Sequence, residues 1–184
     1  MIKLYKSQGR MLHYAECWIY DNIATVHTGI VGDIGESEET SNIKDENTFL
    51  NDFQKEWAAK GYASIQEEYQ SWVVLQWPMK TPSGNAQDRK IRDSATQILN
   101  EHLGWLGLGH VDGFDMGKTS NPKEEFALNI FCVIVDDEIA VKSIMEILPS
   151  QVDCSRLKIA IRHFNEEEFV LCYTANEYDD TFYS

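Results

Sequence analysis

The chain has 184 residues, enough for one large domain or two small ones, and its 43% hydrophobic and 25% charged residues are an ordinary globular balance. Sixteen basic residues against 30 acidic ones leave a formal charge of −14, which repels phosphate backbones and anionic membranes and favours a basic protein partner. No apolar stretch is long enough for a signal peptide or a bilayer span, so a cytoplasmic protein that binds neither nucleic acid nor membrane is expected.

The first block runs over residues 1–66. Tyr14 to Tyr20 reads as a strand, with Tyr14, Glu16, Trp18 and Tyr20 on one side and Ala15, Cys17 and Ile19 on the other. Asp21-Asn22 is a turn signal, and Ile23 to Val31 reads as the returning strand of a hairpin. Gly29, Gly32 and Gly35 follow at intervals of three, as expected of bends or positive φ near a sheet edge. Glu36 to Asn47 is acidic and reads as a surface loop or edge. A helix capped near Asn47 comes next, with Phe49, Phe53 and Trp57 recurring every fourth residue. Lys60-Gly61 is its stop signal.

The second block, residues 67–184, follows a short polar connection at Gln66 to Gln70. Trp72 to Trp77 reads as a strand stopped by Pro78. A helix is predicted from about Gln87 to Leu103, with Ile91, Ala95, Ile98, Leu99 and Leu103 on its apolar face. His110 to Gly117 and Phe126 to Val135 read as a hairpin, the second strand apolar on nearly both faces and therefore central. Glu138 to Leu148 reads as a second helix stopped by Pro149. Leu157 to Ile161 closes the sheet, and Phe169 to Tyr173 adds a hairpin to it. From Asn165 onward there are six acids and no lysine or arginine, so the residues after Thr174 are expected to form a mobile acidic tail.

These orders give an α+β fold: a small β-sheet with one helix, then β-α-β-β-α-β, an antiparallel sheet with two helices on one face. In the first block, Gly29-Ile30-Val31-Gly32-Asp33-Ile34-Gly35-Glu36, followed by Phe49, Phe53 and Lys60-Gly61-Tyr62, resembles a WGR domain. Where that family's Trp-Gly-Arg would stand, this chain has Thr28-Gly29-Ile30, so the family's DNA contact is not expected. In the second block, Leu106-Gly107-Leu108-Gly109-His110-Val111-Asp112-Gly113-Phe114-Asp115-Met116-Gly117 with Asn129-Ile130-Phe131 resembles small bacterial ferredoxin-like proteins. That resemblance implies a fold and brings no activity with it.

Cys17, Cys132, Cys154 and Cys172 match no zinc spacing and form no C-x-x-C pair. Cys132 and Cys172 lie in apolar runs, where a free thiol packs as a small hydrophobe. Such usage suits a reducing compartment. No nucleophile elbow or phosphate loop is present, and no cofactor is expected.

The functional expectation is therefore non-catalytic binding of a basic protein, such as neutralisation of an intracellular toxin. Glu166, Glu167 and Glu168 are the candidate docking residues. Arg89, Lys90 and Arg92 form a basic patch early in the first helix of the second block, which could meet an anion or acidic partner. The rival is a metal-dependent enzyme. His110 and Asp112 share a strand face, and Asp115 joins them only if a bulge at Gly113 turns the strand. A third reading is a small-ligand sensor with its site between the domains.

Overall fold

The computed structural model describes residues 1–121, 125–176 and 181–183. Among them are nine strands and three α-helices in an α+β fold with two antiparallel sheets. Two compact units form: Met1–Gln66 with Trp105–Gly107, and Glu67–Gly104 with Leu108–Ser184.

The first unit is a four-stranded meander, β1 (Ile2–Gln8), β2 (Met11–Tyr20), β3 (Ile23–Ile30) and β4 (Glu36–Ser41), followed by α1 (Glu46–Ala59). β1 is absent from the sequence-derived elements, because its alternation of Ile2 and Leu4 with Lys3 is cut short at Tyr5-Lys6. Asp21 and Asn22 both adopt positive φ, 53° and 62°, and make the two-residue turn whose twist matches a hairpin. That turn sets Tyr20 opposite Ile23 and every pair behind it. α1 is capped by Asp45 rather than Asn47. The Asp45 carboxylate accepts from the Thr48 N–H at 3.1 Å and from the Thr48 hydroxyl at 2.8 Å. Hydrogen bonding to the ionised form holds the Asp45 carboxyl below its ordinary range. The helix ends at Lys60, and Gly61 takes φ +88°. Phe53 is buried with Leu4, Ala15 and Cys17, and Phe49, Leu50, Trp57 and Tyr62 pack around them. Burying the Phe53 ring contributes about 1.5–3 kcal/mol. One face of β2 is thereby used up, leaving Tyr14, Glu16 and Trp18 on the other.

The second unit contains β5 (Ser71–Met79), α2 (Ala86–Trp105), β6 (Gly109–Lys118), β7 (Phe126–Ile134), α3 (Asp137–Ile147), β8 (Lys158–Arg162) and β9 (Val170–Thr174). The sheet order is β6-β7-β5-β8-β9, antiparallel throughout. The first six strands and helices follow the expected β-α-β-β-α-β order, and β9 extends the sheet as a hairpin from β8. β5 does not stop at Pro78. Its pairing with β8 ends at Gln76, so the missing proline N–H breaks no bond on that side, while Pro78 and Met79 still face Ala127 and Phe126 of β7.

His102 of α2 lies 2.5 Å from the Ser143 hydroxyl of α3, so the two helices run side by side over one face of the sheet. On one face of the sheet, Val73, Leu75, Trp77, Leu128, Ile130, Cys132, Ile134 and Ile159 are fully buried. Ile91, Ala95, Leu99 and Leu103 of α2 and Ala140 and Ile144 of α3 supply the matching buried stripes. Asn85 and Asp88 cap α2 reciprocally: the Asn85 side-chain oxygen accepts from the Asp88 N–H at 3.1 Å, and the Asp88 carboxylate accepts from the Asn85 N–H at 2.9 Å. Asp136 caps α3 by accepting from the Ile139 N–H at 3.0 Å.

Two expectations are corrected. Cys172 is exposed rather than buried, because it occupies the irregular position where β9 slips register against β8. The residues after Thr174 are not simply a free tail. The Ala175 N–H donates to the Leu157 carbonyl at 2.9 Å, and Thr181–Tyr183 return to the sheet, as described below. The tail acids Glu177, Asp179 and Asp180 lie outside the described residues.

Candidate functional site

Glu166, Glu167 and Glu168 all lie exposed on the turn between β8 and β9. β4 is the second exposed acidic element. It is an edge strand with all six residues exposed, including Glu36, Glu38 and Glu39. Charged edge residues oppose pairing with a second copy of the same edge. Arg89 is exposed and Arg92 half-buried, and both make contacts within their own unit. The Arg89 guanidinium donates to the Ser83 and Gly84 carbonyls at 3.3 and 3.2 Å. Arg92 pairs with Asp93 at 2.7 Å and lies 4.8 Å from the centre of the Phe114 ring.

The bulge that the sequence made conditional is present. Val111 pairs with Cys132, but the next partner of Phe131 is Gly113, so Asp112 is the extra residue. Beyond the bulge the parity reverses, and Asp115 shares a sheet face with His110. They do not converge. His110 stands opposite Val133 and Asp115 opposite Asn129, four residues apart along β7. The Asp115 carboxylate accepts instead from the Asn129 amide at 2.9 Å. Among the described residues no group of three or more His, Cys, Asp or Glu side chains is arranged to hold a metal ion.

Sequence reasoning missed the densest polar network, which lies in the first unit. His27 is completely buried. Its Nδ1 lies 2.7 Å from the Glu16 carboxylate and its Nε2 lies 3.1 Å from the Tyr14 hydroxyl. A carboxylate only accepts, so Nδ1 carries the proton. The second Glu16 oxygen pairs with Lys3 at 3.1 Å. The Tyr14 hydroxyl also faces the carbonyls of Trp105 and Asp33, at 3.2 and 3.4 Å. Burial, reinforced by the Glu16 charge, pushes the Tyr14 hydroxyl up to about 12, so it stays protonated. Trp105 and Trp18 close over the imidazole edge to face, with ring centres 4.8 and 6.3 Å from it. The sequence glycines now have a reason. A Cβ on Gly29 would fall 2.8 Å from the Tyr14 hydroxyl, and one on Gly35 would strike the Thr28 carbonyl. Gly107 faces the Tyr14 ring with no room for a side chain. The imidazole has no exposed surface, and its bond to Glu16 ties β2 to β3.

A second polar row crosses the sheet of the other unit, on the face away from the helices. Asp115, Asn129, Gln76 and Lys158 stand in register on β6, β7, β5 and β8. The Gln76 amide donates to Asn129 at 2.8 Å. Gln76, Asn129 and Lys158 are only 4%, 5% and 7% exposed. Of the pairs that meet only in space, His102 and Ser143 come together in the seam between α2 and α3. His163 meets Asp137 at 2.8 Å on the surface. A polar cleft of about 300 Å³ also runs beside Lys90 and Ser94 of α2, against Ser150 and Asp153.

No protein-family model matches this chain, and neither a curated protein nor a solved structure is significantly similar to it. No described helix is long and apolar enough to cross a membrane.

Proposed function

We propose that this protein is a non-catalytic binding protein that docks a basic protein partner through its acidic surface, in the manner of an antagonist that neutralises a basic effector such as an intracellular toxin. The observation that carries the reading is the exposed run Glu166–Glu168 at the β8–β9 turn of a chain with net charge −14. The three glutamates of β4 extend the acidic surface on the first unit. The His27 imidazole is fully buried, and the exposed carboxylates of Glu166–Glu168 and β4 are the groups this reading uses for recognition. Charges at an interface rim act mainly on encounter rate and specificity. The four free thiols support a reducing, cytoplasmic setting. The four-strand-plus-helix first unit and the split β-α-β-β-α-β second unit support the WGR-like and ferredoxin-like readings as part of this proposal.

The test is capture of a basic protein from the source cells, followed by binding kinetics with the purified partner. Replacing Glu166, Glu167 and Glu168 with Gln should slow association several-fold, steepen no dissociation, and leave the melting temperature unchanged. High salt should slow the wild type more than the triple variant. Failure to recover a basic partner, or an unchanged association rate, sinks the reading.

A further inference from the structure

Residues Thr181–Tyr183 occupy the polar row on the open face of the second sheet. The Lys158 ammonium donates to the Thr181 carbonyl at 2.8 Å, and the Gln76 amide donates to the Tyr183 carbonyl at 2.8 Å. Both donors are more than nine-tenths buried. The Phe182 ring, between those two carbonyls, lies 6.0 Å from Phe169. Phe169 is in turn covered by the Arg162 guanidinium at 5.2 Å, which also lies 5.4 Å from the Trp72 ring. An extended segment presents alternate carbonyls along one edge and the intervening side chain elsewhere. The face therefore holds its occupant by main-chain oxygens and one aromatic ring, a pattern that fixes little of the occupant's sequence.

From this geometry we infer that the open face of the five-stranded sheet is a binding site for an extended polypeptide segment, kept filled by the chain's own C-terminal residues. The ligand class is an acidic segment carrying an aromatic residue. Its carbonyls two residues apart meet Lys158 and Gln76, its aromatic ring meets Phe169, and Lys158 and Arg162 favour its negative charge. The C-terminal stretch of this chain has that composition, with Asp179 and Asp180 shortly before Phe182. A tethered occupant competes at an effective concentration on the order of millimolar, so an outside segment binds well only when the tether is weakened. Phe169 adjoins Glu168 at the end of the acidic β8–β9 turn, but the test is a peptide titration and does not depend on the basic-partner reading.

The probe is a fluorescent peptide with the sequence of residues 176–184, titrated into the full-length protein and read by anisotropy. Wild type should bind it weakly. Phe182→Ala removes the ring that anchors the tethered segment, lies outside the core, and should tighten peptide binding at least about tenfold, as expected when an internal competitor is removed. Adding Lys158→Met or, separately, Gln76→Leu to Phe182→Ala should abolish that gain, while near-ultraviolet circular dichroism reports that each variant remains folded. The same peptide with Phe182 and both tyrosines replaced by alanine should bind no variant better than wild type. The inference is overturned if Phe182→Ala binds the peptide no more tightly than wild type. It is equally overturned if the alanine-substituted peptide gains as much, or if the gain survives in folded variants lacking Lys158 and Gln76.

Discussion

Nδ1 of His27 lies 2.7 Å from Oε1 of Glu16 on the neighbouring strand, and the imidazole has no solvent-exposed surface. The pair spans the β2–β3 register directly, since Glu16 and His27 are cross-strand partners. Two strands are thus joined by their ladder and by a charged side-chain bond that water does not reach.

Removing the acceptor leaves a buried imidazole N–H unpaired. Glu16→Ala is expected to cost about 1–3 kcal/mol, read as a lower urea midpoint at unchanged slope. Lys3→Ala should cost much less, because Lys3 is more exposed and gives up only the outer partner. Equal losses for the two variants would contradict a network centred on His27.

Tyr14 and Gly29 should be energetically coupled. Gly29→Ala puts a methyl group 2.8 Å from the Tyr14 hydroxyl and 2.9 Å from both its ring and the Gly35 Cα, so Tyr14→Phe relieves only part of the collision. Overpacking of this kind costs about 1–3 kcal/mol. Tyr14→Phe removes the hydroxyl from the collision. The double variant should therefore be less destabilised than the two single losses added together, by about 0.5 kcal/mol or more. Strict additivity in thermal denaturation would show that the phenol does not set the glycine.

The Gln76–Asn129 bond on the other unit tests the asymmetry of buried polar groups. Either single change to Leu leaves one buried hydrogen bond of the remaining amide unmade, although Asn129 keeps its bond to Asp115 and Gln76 its bond to the Tyr183 carbonyl, and should cost about 1–3 kcal/mol. Changing both to Leu removes both polar groups from the row and should leave the protein more stable than either single variant. A double variant worse than both would mean that the bonds to Asp115 and to the Tyr183 carbonyl outweigh the bond between the two amides.

His102 supplies a pH signature. Burial between α2 and α3 is the main cause that holds its pKa below 6.5 in the folded chain. The unfolded chain therefore binds more protons between the two values, and stability contributed by neutral His102 is complete above about pH 6.5. It is lost as pH falls from about 6.5 through the lowered folded value. In urea titrations between about pH 7 and pH 5, His102→Gln should lose less stability than wild type. Parallel pH curves for the two proteins would refute the assignment.

Local chemistry in the sequence determined much of the architecture. Asp21-Asn22 dictated a two-residue turn, because both residues tolerate the left-handed conformation. The aromatic spacing of α1, the apolar stripe of α2 and the two-sided apolar β7 each named a buried surface. Even the His27 network left a trace: counting back from the turn through Tyr20 opposite Ile23 places Glu16 opposite His27. What the sequence could not carry was contact between residues whose separation no local rule sets. Trp105 reaches His27 from far along the chain, and Asn129 bonds Gln76 across 53 residues. The same holds for Thr181–Tyr183, which belong to a stretch that reads as a solvated acidic tail until tertiary packing places the Thr181 and Tyr183 carbonyls on Lys158 and Gln76. Short-range periodicity reports which face of an element is apolar. Which polar groups meet on the remaining faces depends on sheet order and on where distant segments return, and these are decided only when burial of all the apolar faces is satisfied at once.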